Sequence, residues 1–197
     1  MIKLILDLCC YITFDLRGWK FSNQAADVKK YIILAVPHTS NWDTYYALIC
    51  FHRMKVPVKF AIKSNWLVFP FKQLLTPLGA IGVNRNKQST DKFSFVDACA
   101  ELFNNSTELV MTITPEGTRG RNDKWKTGFY NIATKANVPM AVAVCDYVNK
   151  QITINKPIFS TGNYVADLKK LSSVINPAMA KFPNKFAFDA SVTQENK

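Results

Sequence analysis

After residue 25, short runs of β-branched and other apolar residues alternate with longer stretches of helical periodicity. Strands are predicted over residues 31–37, 58–63, 79–85, 108–114, 138–147 and 151–158. Helices are predicted over residues 41–54, 65–75 (broken at Pro70), 90–105, 126–137 and 164–180. Strands that alternate with helices pair mostly in parallel, in a sheet covered by helices. We therefore expect an α/β fold, with residues 1–197 forming a single domain.

The first 21 residues have the pattern of an amphipathic helix with a wide apolar face. Its apolar side chains recur at helical spacing, at Ile2, Ile5, Cys9, Ile12 and Leu16. Asp7, Asp15 and Arg17 interrupt the segment, whereas a spanning helix needs about 20 mostly apolar residues and a signal peptide needs an unbroken apolar region. We expect residues 1–21 to pack on the protein's own core, to lie in a membrane interface, or both.

The charge balance indicates an anionic partner. The chain has 25 Lys and Arg against 14 Asp and Glu, a formal net charge of +11, which suits nucleic acid, an anionic membrane or a phosphorylated small molecule. We see neither a helix with evenly spaced basic residues nor an aromatic-rich basic RNA motif, so nucleic acid is not expected. Five cysteines without a C-x-x-C pair and two histidines indicate a reduced cytosolic compartment and no metal site.

A second apolar stretch, NWLVFPFKQLL at residues 65–75, has Lys63 before it and Lys72 within it. Trp and Phe beside Lys suit a surface that is apolar below and anionic above, although burial in the core explains some of these side chains equally well. With the N-terminal segment and the net charge, this stretch predicts a peripheral protein on the cytoplasmic side of an anionic membrane surface.

Three polar clusters come directly after predicted strands: His38, Arg85 and the loop PEGTRG at residues 115–120. In parallel sheets, ligands bind at the carboxyl ends of the strands. We therefore expect the three clusters to converge at one edge of the sheet, where they form one site.

His38 and Asp43 have the spacing of a base and its orienting carboxylate. If a helix begins near Asn41, Asp43 lies in its first turn and accepts a hydrogen bond from one imidazole nitrogen, which leaves the other nitrogen as a base. Ser40 is better suited to cap the helix than to act as a nucleophile. The alternative is an exposed loop histidine, with Asp43 merely favouring the helix N-terminus.

The segment TPEGTRGRNDKWKTG, residues 114–128, has the composition of a phosphate clamp. Gly117 and Gly120 permit a tight backbone path, and positive charge comes from Arg119, Arg121, Lys124 and Lys126. Glu116 either holds the loop by accepting N–H groups or positions a substrate hydroxyl. A solvated basic loop is the alternative. The spacing is not that of a Walker loop.

These blocks, taken together, resemble the glycerolipid acyltransferases, and in particular the bacterial 1-acylglycerol-3-phosphate acyltransferases. The resemblance rests on His38-x-x-x-x-Asp43, GAIGVNR ending in Arg85, PEGTR and VPMAVAV, which occur in that order and cover roughly residues 30 to 145. It implies an αβ fold with an amphipathic N-terminal region at the membrane, and it implies no metal and no bound cofactor.

The resemblance also implies a role for each residue of the site. His38 would be the general base, oriented by Asp43, that activates a lyso-lipid hydroxyl for attack on an acyl-CoA or acyl carrier protein thioester. Arg85 and Arg119 would hold the acceptor's phosphate. The rest of the acceptor-binding block would be Glu116, Gly117 and Thr118. With 1-acylglycerol-3-phosphate as acceptor, the product would be phosphatidic acid.

Four positions depart from the usual family pattern: Pro37, Thr114, Gly120 and Val142. None of them removes a catalytic group, but as neighbours of the site they leave the acceptor open, and other lyso-lipids, including amino-acid lipids without phosphate, remain alternatives. Two alternatives belong to other classes of protein. One is a thioesterase or esterase with Ser40 as nucleophile, and the other is a non-catalytic domain that binds anionic lipid.

Overall fold

The computed structural model describes residues 2–63, 68–69, 71–83 and 95–193. The strands are β1 Lys20–Asn23, β2 Lys30–Ala35, β3 Val58–Lys63, β4 Ala80–Val83, β5 Leu109–Ile113, β6 Met140–Asp146 and β7 Gln151–Ile154. They form one sheet in the order β1-β7-β6-β2-β5-β3-β4, in which β6 and β7 are antiparallel and the other neighbours are parallel. The predicted α/β fold with a mostly parallel sheet is confirmed.

The helices cover both faces of this sheet. They are α1 Ile2–Cys10, continued by a π-helical segment Tyr11–Leu16, then α2 Asn41–Arg53, α3 Phe71–Leu75, α4 Phe95–Asn105, α5 Gly128–Ala136, α6 Tyr164–Ser172 and α7 Ala190–Thr193. Side chains of β2 alternate between the two faces, as the pleat requires. Ile32 and Leu34 pack in the cluster with α4, α5 and α6, whereas Tyr31 and Ile33 pack with α2.

The N-terminal helix rests on α2. Cys10 and Phe14 share a buried cluster with Ile49 and Cys50 of α2. The Nε2 atom of His52 lies 2.7 Å from the Asp7 carboxylate, which ties the two helices together on the outside. Among the described residues, none of the helices is both long and apolar enough to cross a membrane.

Several boundaries differ from the sequence-based predictions. The N-terminal helical segment ends at Leu16 rather than at residue 21, because Gly18 takes a positive φ of 69° and the chain then enters β1. The predicted last helix, 164–180, ends at Ser172, and two short 3₁₀ turns follow, Pro177–Met179 and Pro183–Lys185. Proline begins each of those turns because it lacks the N–H that a continuing helix requires.

One further difference concerns a strand, and some of the predicted residues lie outside the described ranges. Strand β1 was not predicted, because its sequence KFSN is short and lacks an apolar alternation. Arg85 lies outside the described residues, as do most of the predicted helical residues 65–70. The predicted strand 79–85 is described as β4, and the predicted helix 90–105 as α4.

Strand order places the polar loops at one edge. Because β6, β2 and β5 are neighbours, the segments that follow them lie side by side at the carboxyl end of β2 and β5. These segments begin at Val36, Thr114 and Tyr147.

Candidate active site

The first part of the site is the N-terminus of α2. Ser40 is its cap, and the Ser40 hydroxyl oxygen accepts the N–H of Trp42 at 2.9 Å. In return, the Oδ2 atom of Asp43 accepts the backbone N–H groups of Thr39 and Ser40 at 2.7 and 2.8 Å. This reciprocal arrangement is a capping box, here with Asp at the third helical position. Asp43 is buried, and its carboxylate is held by the turn that carries His38.

His38 stands over this carboxylate. Its Nδ1 atom lies 3.6 Å from the Oδ2 atom of Asp43, which is longer than a hydrogen bond, so the two groups are adjacent but the hydrogen bond predicted between them is not formed in this structure. The His38 side chain is 12% exposed, so it is mostly buried yet reachable. Burial lowers the pKa of His38, and Arg119 lowers it further, while Asp43 acts in the opposite direction. Because the ordinary value is 6.5, the imidazole is mainly neutral at pH 7 and is able to accept a proton.

Glu116 connects His38 to the loop after β5. The backbone N–H of His38 donates to both carboxylate oxygens of Glu116, at 3.1 and 3.2 Å. Glu116 is 2% exposed, and burial raises its pKa to about 7, with Asp43 adding to the rise and the His38 N–H opposing it. Of the two roles considered for this carboxylate, the observed contact is with a backbone N–H, so Glu116 holds the two loops together.

The loop after β5 is compact around Gly117. Gly117 has a φ of 67°, and a Cβ atom at this position would lie 2.8 Å from the Cε atom of Lys126. The Lys126 side chain therefore crosses directly over the glycine. Thr118 is exposed and accepts the N–H of Gly120 at 3.2 Å. The exposed Arg119 and Lys126 side chains both line the adjacent cavity.

The C-terminal segment, residues 177–193, is hydrogen-bonded to this loop. Trp125 donates its backbone N–H to the Asp189 carboxylate at 2.8 Å and its indole N–H to the Ala187 carbonyl at 3.1 Å. Arg121 donates to the Phe186 carbonyl at 3.0 Å. Of the basic residues predicted to serve a phosphate clamp, Arg121 is thus occupied by a structural contact.

A cavity of 540 Å³ opens beside these groups. Its polar wall includes His38, Asp43, Arg119 and Lys126. Its apolar wall, from α2 and β3, includes Ala47, Leu48, Phe51, Val58 and Phe60. The arrangement joins a neutral base, two cations and an apolar space, which suits a substrate with a hydroxyl, an anionic group and a long apolar chain.

One contact at the site has no counterpart in the sequence-based prediction. The Tyr147 hydroxyl donates to the Oδ1 atom of Asp43 at 2.6 Å, across 104 residues of sequence. A tyrosine just after a strand carries no local signal for this role, since the contact depends on the order of β6 and β2 in the sheet. In the described part of the chain, no group of three or more His, Cys, Asp or Glu is arranged to hold a metal ion.

The fold and this edge of the sheet define an α/β enzyme with a histidine–carboxylate pair beside an apolar cavity. The sequence model of the acyltransferase family matches residues 19–146, nearly two thirds of the chain. The chain belongs to that family. The predicted resemblance and the predicted class of enzyme, one that transfers acyl groups, are both confirmed.

Among solved structures, the fold is similar to that of the 1-acyl-sn-glycerophosphate (LPA) acyltransferase PlsC from Thermotoga maritima. The match has a TM-score of 0.53 at 15% identity and covers 84% of this chain and 72% of the other. At this identity, the likeness establishes the fold alone. No curated protein matches the sequence significantly.

The buried Glu116 carboxyl predicts a pH dependence of stability. A carboxyl with a raised pKa binds its proton more tightly in the folded state, so its contribution is present below pH 4.5 and is lost as the pH rises through about 7. Between pH 5 and pH 8, the free energy of unfolding of the wild type should therefore fall more than that of Glu116→Gln, by up to about 3 kcal/mol. Urea unfolding at both pH values measures the free energy of unfolding of each protein. An equal change in that free energy between pH 5 and pH 8 in the wild type and in Glu116→Gln would contradict the prediction.

Proposed function

We propose that this protein transfers a fatty acyl chain from an acyl thioester, acyl-CoA or acyl carrier protein, to the hydroxyl of a lyso-lipid. The observation that carries the proposal is the neutral, mostly buried His38 beside Asp43 in a cavity with both a cationic and an apolar wall. The proposed acceptor is 1-acylglycerol-3-phosphate, which would give phosphatidic acid. The name of the Thermotoga enzyme supports this choice of acceptor.

In the proposed mechanism, His38 acts as the general base. Its Nδ1 side faces Asp43, so Nε2 is the atom that removes the proton from the acceptor hydroxyl. The hydroxyl oxygen attacks the thioester carbonyl, and the tetrahedral intermediate then collapses with cleavage of the carbon–sulfur bond. The departing thiolate takes the proton from the imidazolium. Asp43 stabilises the imidazolium while it exists.

Arg119 is proposed to bind the acceptor's phosphate, with Lys126 as a second cation on the same wall of the cavity. Guanidinium and ammonium groups are the usual partners of phosphate oxygens. Arg85 is proposed for the same role on the strength of the sequence motif. Gly117 and Thr118 complete the proposed acceptor-binding loop. Glu116 holds this loop in place by accepting the backbone N–H of His38.

The acyl chain is proposed to occupy the apolar wall formed by α2 and β3. Burial of each methylene contributes about 0.8 kcal/mol, so a long chain gains considerable affinity there. An O-acyltransferase for a different lyso-lipid would use the same base and the same apolar space, and would differ at the cationic wall. No metal or bound cofactor is required by these steps.

A thioesterase with Ser40 as nucleophile is the second candidate, and the geometry favours it less. The Ser40 hydroxyl oxygen already accepts the Trp42 N–H and is buried at the helix cap. In the proposed transferase, no protein nucleophile is needed because the acceptor hydroxyl takes that role.

The protein is further proposed to bind an anionic membrane surface on its cytoplasmic side through the outer face of the N-terminal segment. That face exposes Leu4, Ile5, Leu8, Tyr11, Ile12 and Leu16. The side chains of Leu4 and Leu8 are 74% and 58% exposed, and an apolar patch of six exposed side chains on one helical face is the kind of surface that marks an interaction site. The net charge of +11 adds attraction to anionic lipid.

His38→Ala should reduce turnover by about 10²- to 10⁴-fold, because the general base is lost. The measurement is release of free CoA from a long-chain acyl-CoA, with and without 1-acylglycerol-3-phosphate. His52→Gln, which removes the other histidine, is the matched control and should remain active. CoA release that does not need the acceptor would support the thioesterase, and a folded, fully active His38→Ala protein would exclude the base assignment.

Arg119→Ala should raise the apparent KM for 1-acylglycerol-3-phosphate by about tenfold or more, since one charge-assisted contact to phosphate is worth about 1.5–3 kcal/mol. Lys124→Ala removes an equal charge from an exposed position of the same loop and is the control. If both variants change KM equally, the effect belongs to the general field of the loop and the assigned contact is wrong.

Leu8→Asp should weaken binding to vesicles that contain phosphatidylglycerol, because it places a charge on the face proposed to enter the interface. Val148→Asp makes the same kind of change at a position that is 68% exposed and lies outside the N-terminal segment. Vesicle cosedimentation compares the two variants. Equal binding by both would show that the N-terminal face is not the docking surface.

A further inference from the structure

Tyr147 is placed to act on the histidine–carboxylate pair. It follows β6 at the edge where His38 follows β2, and its hydroxyl donates to the Oδ1 atom of Asp43 at 2.6 Å. That distance is typical of a strong, charge-assisted O–H···O⁻ hydrogen bond. Tyr147 lies one residue beyond the segment that the family model matches.

The Tyr147 ring is fixed on several sides. The rings of Trp19 and Tyr46 meet it edge-on, each with centroids 5.5 Å apart. The ammonium of Lys181, in the C-terminal segment, lies 5.3 Å from the centroid of the Tyr147 ring. The backbone N–H of Tyr147 donates to the Met179 carbonyl at 2.9 Å. The hydroxyl is therefore delivered to Asp43 by a ring with little freedom to move.

Both oxygens of the Asp43 carboxylate are thereby engaged on different sides. Oδ2 accepts the N–H groups of Thr39 and Ser40 and faces His38, while Oδ1 accepts the Tyr147 hydroxyl. Without the Tyr147 hydroxyl, the carboxylate would keep one anchored oxygen and one free oxygen. We propose that Tyr147 is a positioning residue that fixes the orientation and the effective charge of Asp43, and thereby sets the basicity of His38. This inference rests on the proposed function only for its kinetic consequence.

The electrostatic consequence has a definite sign. Burial, together with the bond to Asp43, raises the pKa of Tyr147 above its usual range, so the hydroxyl stays protonated and donates at every working pH. A donor on Oδ1 withdraws negative charge from the carboxylate, which then stabilises the His38 imidazolium less. Removing that donor should raise the pKa of His38.

Other charged and titratable groups lie near the pair and near Tyr147. The positive charge of Arg119 lowers the pKa of His38, and the Lys181 ammonium lies over the Tyr147 ring. Burial raises the pKa of the Cys145 thiol, so it stays neutral beside Tyr147. Glu116 contacts the His38 backbone and titrates near pH 7, so it must be monitored.

The test is an NMR titration of the His38 imidazole in the full chain, comparing wild type with Tyr147→Phe. The chain has only two histidines, so a His52→Gln background leaves a single imidazole signal to follow. Running the comparison also in Glu116→Gln removes the other group that titrates in this range. Tyr147→Phe should raise the pKa of His38 by about 0.5 to 1 unit in both backgrounds.

Tyr46→Phe is the matched control, since it removes a hydroxyl from the same aromatic cluster without removing a donor to Asp43. It should leave the His38 titration unchanged. An unchanged His38 pKa in Tyr147→Phe, or an equal shift in the control, would overturn the proposal. This readout needs no substrate, so it stands or fails separately from the proposed acyl transfer.

The kinetic test uses acyl-CoA and 1-acylglycerol-3-phosphate. Tyr147→Phe should lower kcat about tenfold, because a carboxylate anchored at only one oxygen no longer fixes the imidazole in one orientation, and this loss outweighs the gain in basicity. KM for both substrates should stay nearly unchanged, and the acid limb of the pH–rate profile should move to higher pH with the His38 pKa. A rise in KM with unchanged kcat would overturn the positioning role. If the wild type does not acylate this acceptor, the proposed function fails while the titration still decides the role of Tyr147.

Discussion

The buried Asp43 carboxylate is the constraint on which the rest of the site depends. A buried carboxylate is costly unless its oxygens are hydrogen-bonded, and here the donors come from the entering loop and from the end of a neighbouring strand. Each hydrogen bond to a charged group contributes about 1.5–3 kcal/mol. The same contacts start α2, hold the loop that carries His38 and fix the distance to the imidazole. The hydrogen bonds that satisfy the buried carboxylate therefore also position His38.

A second buried carboxyl, that of Glu116, connects the segments that follow two neighbouring strands, β2 and β5. Glu116 joins the loop after β5 to the backbone of His38, so the loop that carries His38 and the cationic loop are connected directly. Burial disfavours the charged form of Glu116, which means that the connection is made at some cost to stability above neutral pH. The same contact holds the loop of Arg119 beside the cavity that His38 also lines.

The C-terminal segment, beyond the residues that the family model matches, completes this edge of the molecule. Asp189 and Ala187 accept N–H groups of Trp125, and the Phe182 N–H donates to the Thr39 hydroxyl at 3.3 Å. The segment thus contacts both loops of the site. Its first short turn begins at Pro177 and replaces the end of the helix that periodicity predicted, because proline lacks the N–H that a continuing helix requires.

The sequence by itself determined the α/β alternation and the start of α2, because strand pattern and helix capping depend on residues only a few positions apart. It also brought His38, Asp43 and the loop with Glu116 and Arg119 into one hypothesis, since parallel strands end at a common edge. Only the tertiary structure decided that Glu116 binds the His38 backbone and that Tyr147 binds Asp43. Those contacts span 78 and 104 residues, and they follow from the strand order and from packing between distant segments, for which local sequence carries no signal.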